Sequence, residues 1–384
     1  MIERNQTLLR FLLWVPAKLY ELGVRLRVAA YETAYLKAKK LDATVISVGN
    51  ITLGGTGKTP FVEFIARYLK QEGHSVAILT RGYSRSSRHR RVLNGRGGDY
   101  PSAAGPDKTM ARDVQQIRRE SPPGGFAQTV GGCGEFGDEP VMLARSLTEV
   151  PVVIDKDRFA AGKWSERHLG ANVLVLDDGY QHLALRRDLN ILLLDATDPF
   201  GQFEMAPFGR LREPLYGLKR ADAIIINRAH RAFDQGQVLA IIKLFCGDRV
   251  PIMYFHSTIV RLRNLSTGDV YESSQFRGWN VALMCGIGNP HAFADDVLQI
   301  GINIVSEDFF PDHHAFDQED LNRISESARS LAADAILTTE KDAVRLEGLD
   351  LGEVPIYAAQ LDLHSDDEVR LKSLLLRTVV TRRG

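Results

Sequence analysis

The sequence predicts an α/β chain: a mostly parallel sheet with flanking helices, a smaller C-terminal α/β domain and an N-terminal amphipathic helix. Three observations carry that expectation. Apolar runs of strand length recur at 44–48, 75–80, 150–154, 172–176, 190–195 and 221–227, with helical patterns among them. The first run opens into Gly49-Asn50-Ile51-Thr52-Leu53-Gly54-Gly55-Thr56-Gly57-Lys58-Thr59-Pro60, after which Phe61, Ile65, Tyr68 and Leu69 mark one helix face. A further buried run at 279–285 restarts the strand-then-helix pattern late in the chain. Strand, glycine-rich loop and helix together are the P-loop NTPase-like arrangement.

The loop carries the first chemistry. Glycines let the backbone turn its N–H groups toward a phosphate chain, and the helix N-terminus adds partial positive charge. Lys58 can reach β- and γ-phosphates, and Thr59 offers a hydroxyl to Mg²⁺. Pro60 falls in the first helical turn, where its missing N–H is not needed. The stretch Thr52, Leu53, Gly54, Gly55, Thr56, Gly57, Lys58 and Thr59 therefore reads as a nucleotide-phosphate cradle. Thr52 stands where the G-x-x-x-x-G-K-[ST] pattern has its first glycine. A glycine-rich turn before an ordinary helix accounts for the glycines but not for Lys58-Thr59 behind a buried strand.

With 384 residues, 44% of them hydrophobic, the chain can fill two cores. The expected divisions are a membrane-associating helical segment 1–40, a P-loop domain 41–255, an extended connector 256–275 and an α/β domain 276–384. Lys plus Arg (48) balance Asp plus Glu (48), so no global charge points to nucleic acid. Cys133, Cys246 and Cys285 stand apart without metal-ligand spacing, which points to a reducing compartment and no zinc site.

Near the N-terminus an apolar run at 8–15 is interrupted by Pro16, and Leu19, Leu22, Leu26 and Ala30 continue at helical spacing among Lys18, Arg25 and Arg27. The run is shorter than the ~20 residues a spanning helix needs. No small-residue cleavage site follows, which argues against a signal peptide. Trp14, Tyr20, Tyr31 and Tyr35 suit headgroup depth, and Lys37, Lys39 and Lys40 can meet anionic lipid. An interfacial membrane anchor is expected here, the plainer reading being a helix pair packed on the domain.

After the second run, Arg81 and Tyr83 sit at a strand end, where ligands gather in parallel sheets. From 84 to 134 the pattern dissolves into a loop-rich stretch in which only 109–119 looks helical, and mobility is expected at 95–106. Gly137-Asp138-Glu139-Pro140 enters a short helix, with the acidic pair either complementing its dipole or serving the site. Arg158, just past the 150–154 run, can bind phosphate. The 172–176 run delivers Asp177-Asp178-Gly179-Tyr180-Gln181-His182, the form of a Walker B element. Side chains alternate along a strand, so only one of the two aspartates easily faces Mg²⁺. Arg212 and Glu213 follow in a loop whose arginines are a surface patch or anion contacts.

In the last third, Asp312-His313-His314 brings two histidines that cannot share a face, which favours one histidine partnered with a carboxylate over a two-histidine metal site. Thr339-Glu340-Lys341-Asp342 reads as a capped helix start.

Taken together, the ordered motifs resemble the tetraacyldisaccharide 4'-kinase family, the lipid A 4'-kinases of Gram-negative bacteria. They are the loop with its Thr52, Arg81-Gly82-Tyr83, Gly137-Asp138-Glu139-Pro140, residues 155–158, Asp177-Asp178-Gly179 with Gln181-His182, Arg212-Glu213, Gly286-Ile287-Gly288, Asp312-His313 and Thr339-Glu340-Lys341-Asp342. The resemblance spans nearly the whole chain. It implies ATP and Mg²⁺ as cofactors and transfer of the γ-phosphoryl group to the 4'-hydroxyl of a lipid-linked disaccharide at the cytoplasmic face of the inner membrane. It also implies Asp138 as base with His313 as its partner, Asp177 and Asp178 as the Walker B pair, and Arg81, Tyr83, Arg158, Arg212 and Glu213 around the substrates. The site is expected between two domains, with closure bringing His313 onto Asp138. A P-loop GTPase or switch protein is the rival class, but Asn227-Arg228-Ala229-His230 lacks the Lys and Asp of a guanine-reading motif. A noncatalytic membrane-bound ATP-binding protein is another rival, which the Asp138 and His313 pair argues against.

Overall fold

In the computed structural model the described residues are 2–82, 90–93, 136–231 and 233–382, with side chains from Leu13 onward. Tyr83, Cys133, the expected helix at 109–119 and the stretch 95–106 lie outside them. The chain forms two compact units: Met1–Arg81, Val150–His256 and Ser365–Gly384 make the first, Gly82–Glu149 and Ser257–His364 the second. Each is discontinuous in sequence, whereas the expected domains are contiguous.

The first unit opens with α1 (Ile2–Glu32), β1 (Thr44–Asn50), α2 (Lys58–Gln71) and β2 (Val76–Thr80). The second begins with β3 (Arg91–Leu93) and α3 (Asp138–Ser146). The chain then returns to the first unit for β4 (Val152–Ile154), α4 (Arg158–Leu169), β5 (Val173–Asp177), β6 (Leu189–Asp195), β7 (Ala223–Asn227), α5 (Gln235–Cys246) and β8 (Ile252–Tyr254). The second continues through β9 (His256–Asn264), β10 (Val270–Glu272), β11 (Asn280–Cys285), α6 (Pro290–Gln299), β12 (Asn303–Phe309), α7 (Gln318–Ser330), β13 (Ala335–Thr339), α8 (Glu340–Arg345) and β14 (Ile356–His364). Finally α9 (Glu368–Thr381) rejoins the first unit.

In the first unit the strands run β4-β2-β5-β1-β6-β7-β8, each neighbouring pair parallel. Every residue of β1 and β6 is buried, as befits a parallel sheet covered on both faces. The register sets Val48 beside Asp177 and Asp195 beside Asn227, so the polar residues of the sheet collect at its carboxyl end. Gly49 is required there. A Cβ at that position would meet the Tyr180 Cβ at 2.7 Å and its amide nitrogen at 2.8 Å. Tyr180 is fully buried, and its hydroxyl donates to the Gly217 carbonyl at 2.7 Å. Anchoring Tyr180 fixes Asp178, two residues upstream.

The N-terminal helix runs unbroken through Pro16. Ala17 and Val28 are buried and Val24 packs on the unit's core, while Val15, Leu19, Leu22 and Leu26 are exposed. The exposed four are spaced i, i+4, i+7, i+11, one stripe of the helix. Among the described residues no helix is long and apolar enough to cross a membrane.

In the second unit the sheet runs β10-β9-β14-β13-β11-β12. Along β11, Val281, Leu283 and Cys285 enter one apolar cluster and Ala282 and Met284 another, the period of two that a sheet covered on both faces demands. Most of the expected connector is strand: β9 and β10 pair antiparallel, Val270 beside Arg263. Alternate burial along 256–260 gives that stretch a sheet face to cover, and so a place in the fold.

Candidate active site

The first cluster is built at the carboxyl end of the first unit's sheet. Gly54 and Gly57 adopt φ of 103° and 78°, positions open to glycine, and Gly57 caps α2 so that Lys58 begins the helix. The loop is braced from inside. Asn50 Nδ2 donates to Thr56 Oγ1 at 3.0 Å, Asn227 Nδ2 to the Thr56 carbonyl at 3.2 Å, and Arg228, ion-paired with Asp195, to the Gly55 carbonyl at 3.4 Å. With its carbonyls held this way the loop keeps its N–H groups for a ligand. Asn227 and Arg228, which stand where a guanine-reading motif would have its Asn and Lys, thus brace the phosphate loop. Residues 210–212 run beside it: Leu53 N donates to the Arg210 carbonyl at 2.6 Å, and Thr52 bridges Leu211.

Lys58 is 9% exposed, and its Nζ lies 3.5 Å from Asp178 Oδ1, while Arg212 Nη1 donates to Asp178 Oδ2 at 2.7 Å. Burial pushes the Asp178 carboxyl up, but Lys58 and then Arg212 outweigh it and hold it down to about 2. Asp178 takes a left-handed φ of 50°, which turns it out of the line of β5 and toward the lysine. Its neighbour Asp177 stays in the strand and accepts from Thr80 Oγ1 at 3.1 Å. The turn, more than strand alternation, separates the two carboxylates.

Arg158 starts α4, which Asp157 caps through the Phe159 and Ala160 N–H groups. The arginine is buried. Its Nη1 donates to the Asp155 carbonyl at 3.2 Å, and among the described residues its Nε has no partner. Burial pushes it down to about 10, so it stays charged at neutral pH. Burial, and next Arg158, push His182 down to about 4, so that imidazole is neutral. Arg81 is exposed at the end of β2. Glu213 is inside the fold, one oxygen accepting from Gln181 Nε2 at 2.7 Å and the other paired with Arg220. It ties the 210–213 segment to Gln181 and Arg220.

The second cluster lies wholly within the second unit. Asp138 opens α3 and is 6% exposed. His313 Nδ1 is 3.2 Å from its Oδ2, and Arg345 Nε donates to the same oxygen at 2.8 Å. His313, at a left-handed φ of 64°, donates its backbone N–H to the Gly286 carbonyl at 3.2 Å. Lys341 Nζ is 3.4 Å from His313 Nε2 and 3.1 Å from Asp312 Oδ1. Burial raises the Asp138 carboxyl, yet the His313 hydrogen bond and the Arg345 charge override it and hold the group well below the usual carboxylate range.

These contacts correct one expectation. No closure is needed to bring His313 onto Asp138, because one unit contains both and they already touch. The capped helix start at 340 is observed, with Thr339 Oγ1 accepting from Asp342 N, but α8 also carries Lys341 and Arg345 into the cluster. Arg345 went unread in the sequence, where the only signal is its i, i+3 spacing from Asp342. His314 pairs with Asp320 at 2.7 Å and stacks on Phe310, leaving His313 as the histidine of the cluster.

A family model described as LpxK, tetraacyldisaccharide-1-P 4'-kinase, matches residues 9–115 and 124–380. The chain belongs to this family. Among its relatives, the tetraacyldisaccharide 4'-kinase of Geobacter sulfurreducens is 35% identical over 368 residues, covering 96% of this chain and 93% of that one. The enzyme of the same name from Halothermothrix orenii is 34% identical over 352 residues, covering 89% and 84%. The "apo" form of LpxK from Aquifex aeolicus, solved in complex with ATP, is 29% identical with a TM-score of 0.69, covering 97% of this chain and 99% of that one. The LpxK family thus accounts for both a P-loop sheet and a second α/β unit in one chain.

Proposed function

We propose that this LpxK-family chain transfers the γ-phosphoryl group of ATP to the 4'-hydroxyl of a tetraacylated glucosamine disaccharide 1-phosphate. The observation that carries the reading is the Lys58–Asp178–Arg212 arrangement at the glycine-rich loop, in a chain whose relatives bear the name tetraacyldisaccharide 4'-kinase. The ATP complex of the Aquifex aeolicus relative supports the choice of nucleotide.

Residues Thr52 to Thr59 cradle the phosphates through their N–H groups, and Lys58 neutralises charge on the γ-phosphoryl group. The donor set fits Mg²⁺, since Thr59 and Asp178 offer hard oxygens and Asp178 Oδ1 is buried without a hydrogen bond among the described residues. Thr59 and Asp178 would hold the ion, with Asp177 behind them on β5. Bound there, Mg²⁺ neutralises phosphate charge. Arg81, Tyr83, Arg158 and Arg212 receive anionic groups of nucleotide or acceptor, with Glu213 beside them in the 210–213 segment. Asp138 takes the proton of the 4'-hydroxyl as that oxygen bonds to the γ-phosphorus. The bond from phosphorus to the β–γ bridging oxygen breaks and its electron pair leaves with ADP. His313 orients Asp138.

The test is γ-labelled ATP with the tetraacyl disaccharide 1-phosphate in detergent micelles. Label is expected on the 4' oxygen, with ATP strongly preferred to GTP. Label released only as free phosphate, or equal transfer from GTP, would overturn the reading.

An acceptor with acyl chains lies in a bilayer, and the exposed stripe of α1 supports docking on the cytoplasmic face of the inner membrane. Leu19 and Leu26 are 66% and 63% exposed. Converting both to Glu is expected to weaken co-sedimentation with anionic phospholipid vesicles by about tenfold or more. Unchanged partitioning would remove α1 from the membrane reading.

A further inference from the structure

We propose that Arg345 is a positioning residue of the phosphoryl-transfer reaction, holding Oδ2 of Asp138 so that Oδ1 is the oxygen that takes the acceptor proton. The proposal rests on the assignment of Asp138 as base, made above.

The geometry is unusual for an arginine and a carboxylate. A guanidinium fork commonly places one N–H on each carboxylate oxygen, which would occupy both proton-accepting sites. Here Nε and Nη2 of Arg345 both reach Oδ2, and so does His313 Nδ1. Among the described residues Oδ1 has no hydrogen bond, although Asp138 is 6% exposed. With Oδ2 engaged by three nitrogens the carboxylate is oriented, and Oδ1 is left for an incoming hydroxyl.

Arg345 is itself fixed. Its side chain is 6% exposed, and Nη1 donates to the Gly286 carbonyl at 2.9 Å and to Asp342 Oδ1 at 2.8 Å. Asp342, fully buried, is held in turn by Thr339. The same helix sets the imidazole. Lys341 Nζ lies 3.4 Å from His313 Nε2, while Nδ1 lies 3.2 Å from Asp138 Oδ2 and 3.3 Å from Arg345 Nη2. The guanidinium and the ring thus converge on one oxygen, both governed from α8.

The charged and titratable groups facing Asp138 are His313 and Asp312 from the loop after β12, and Lys341, Asp342 and Arg345 from α8. Glu139 follows it on α3, and Arg91 lies on β3, which packs against α3. Arg345 and His313 dominate because, among the described residues, they are the ones whose side chains touch the carboxylate. Without the guanidinium, only the His313 hydrogen bond and the Lys341 charge oppose burial, and the base becomes protonated at a higher pH than in the parent.

The test uses the full-length chain as Arg345→Gln and Arg345→Lys, assayed by label transfer from ATP to the micellar disaccharide across pH. For Arg345→Gln, kcat is expected to fall by about 10- to 100-fold with KM for ATP unchanged, and the acid limb of the kcat profile to move to higher pH than in the parent. Arg345→Lys keeps a positive charge but lacks the fork. It is expected to keep the acid limb low while kcat still falls, separating orientation from charge. A parent-like kcat in either variant overturns the proposal. So does a loss of kcat in Arg345→Gln with an unmoved acid limb, the result of a merely structural ion pair. Asp138→Asn separates this from the underlying assignment: if it keeps full turnover the base reading itself is wrong, and if it is inactive while Arg345→Gln is parent-like only the role of Arg345 fails.

Discussion

An Asp138→Ala enzyme is expected to bind ATP as the parent does and to turn over at least ~10²-fold more slowly. The reason is the division of labour between the clusters: ATP contacts are assigned to the glycine-rich loop, and Asp138 acts only on the acceptor hydroxyl. Alanine also leaves Arg345, 6% exposed, without its main counter-ion. Breaking a buried pair on one side costs about 3–5 kcal/mol, so Asp138→Asn is the companion variant that keeps the shape and tests the chemistry. Stability adds a second readout. The folded state holds the Asp138 carboxyl below its ordinary value, so its contribution is present above the ordinary carboxylate range and lost as pH falls through the depressed value. Both variants should therefore show a flatter acid side of the denaturant-midpoint curve than the parent. Near-normal label transfer by Asp138→Asn would end the assignment.

Lys58→Ala is expected to lower kcat by about 10²–10³-fold, the scale seen when a donor to developing transition-state charge is removed. Two losses add. The ammonium no longer faces the transferring group, and Asp178 keeps only Arg212 against its charge. A carboxylate beside incoming phosphates is then less well neutralised, so nucleotide affinity should fall as well. Lys58→Arg is expected to restore little, because a planar fork does not reproduce a point charge inside a tight loop. Single-turnover rates and nucleotide titration separate the two losses. Parent-like single-turnover rates in Lys58→Ala would take the lysine out of the chemistry.

Much of the site was legible because its chemistry is local in sequence. The cradle from Thr52 to Thr59 needs only a strand, glycines and a helix start, all within one short stretch. The Walker B pair was legible as a pair, but its division was not. Alternation along a strand predicted opposite faces, whereas the left-handed turn at Asp178 makes the separation. Arg345 was missed since nothing near it in sequence marks it. Its partner lies 207 positions away, and a capped helix start explained the segment well enough. Glu213, expected near the substrates, has its two oxygens on Gln181 and Arg220, partners the sequence did not indicate.

By itself the sequence determined the parallel sheet, the phosphate loop and the kind of chemistry, because apolar runs, glycines and a lysine at a helix start act through nearest neighbours. Only the tertiary structure decided that Asp138 and His313 meet inside one discontinuous unit and that α8 brings Arg345 onto one oxygen of the base. Those pairings depend on which distant segments share a core, and no local pattern encodes the direction in which a buried carboxylate points.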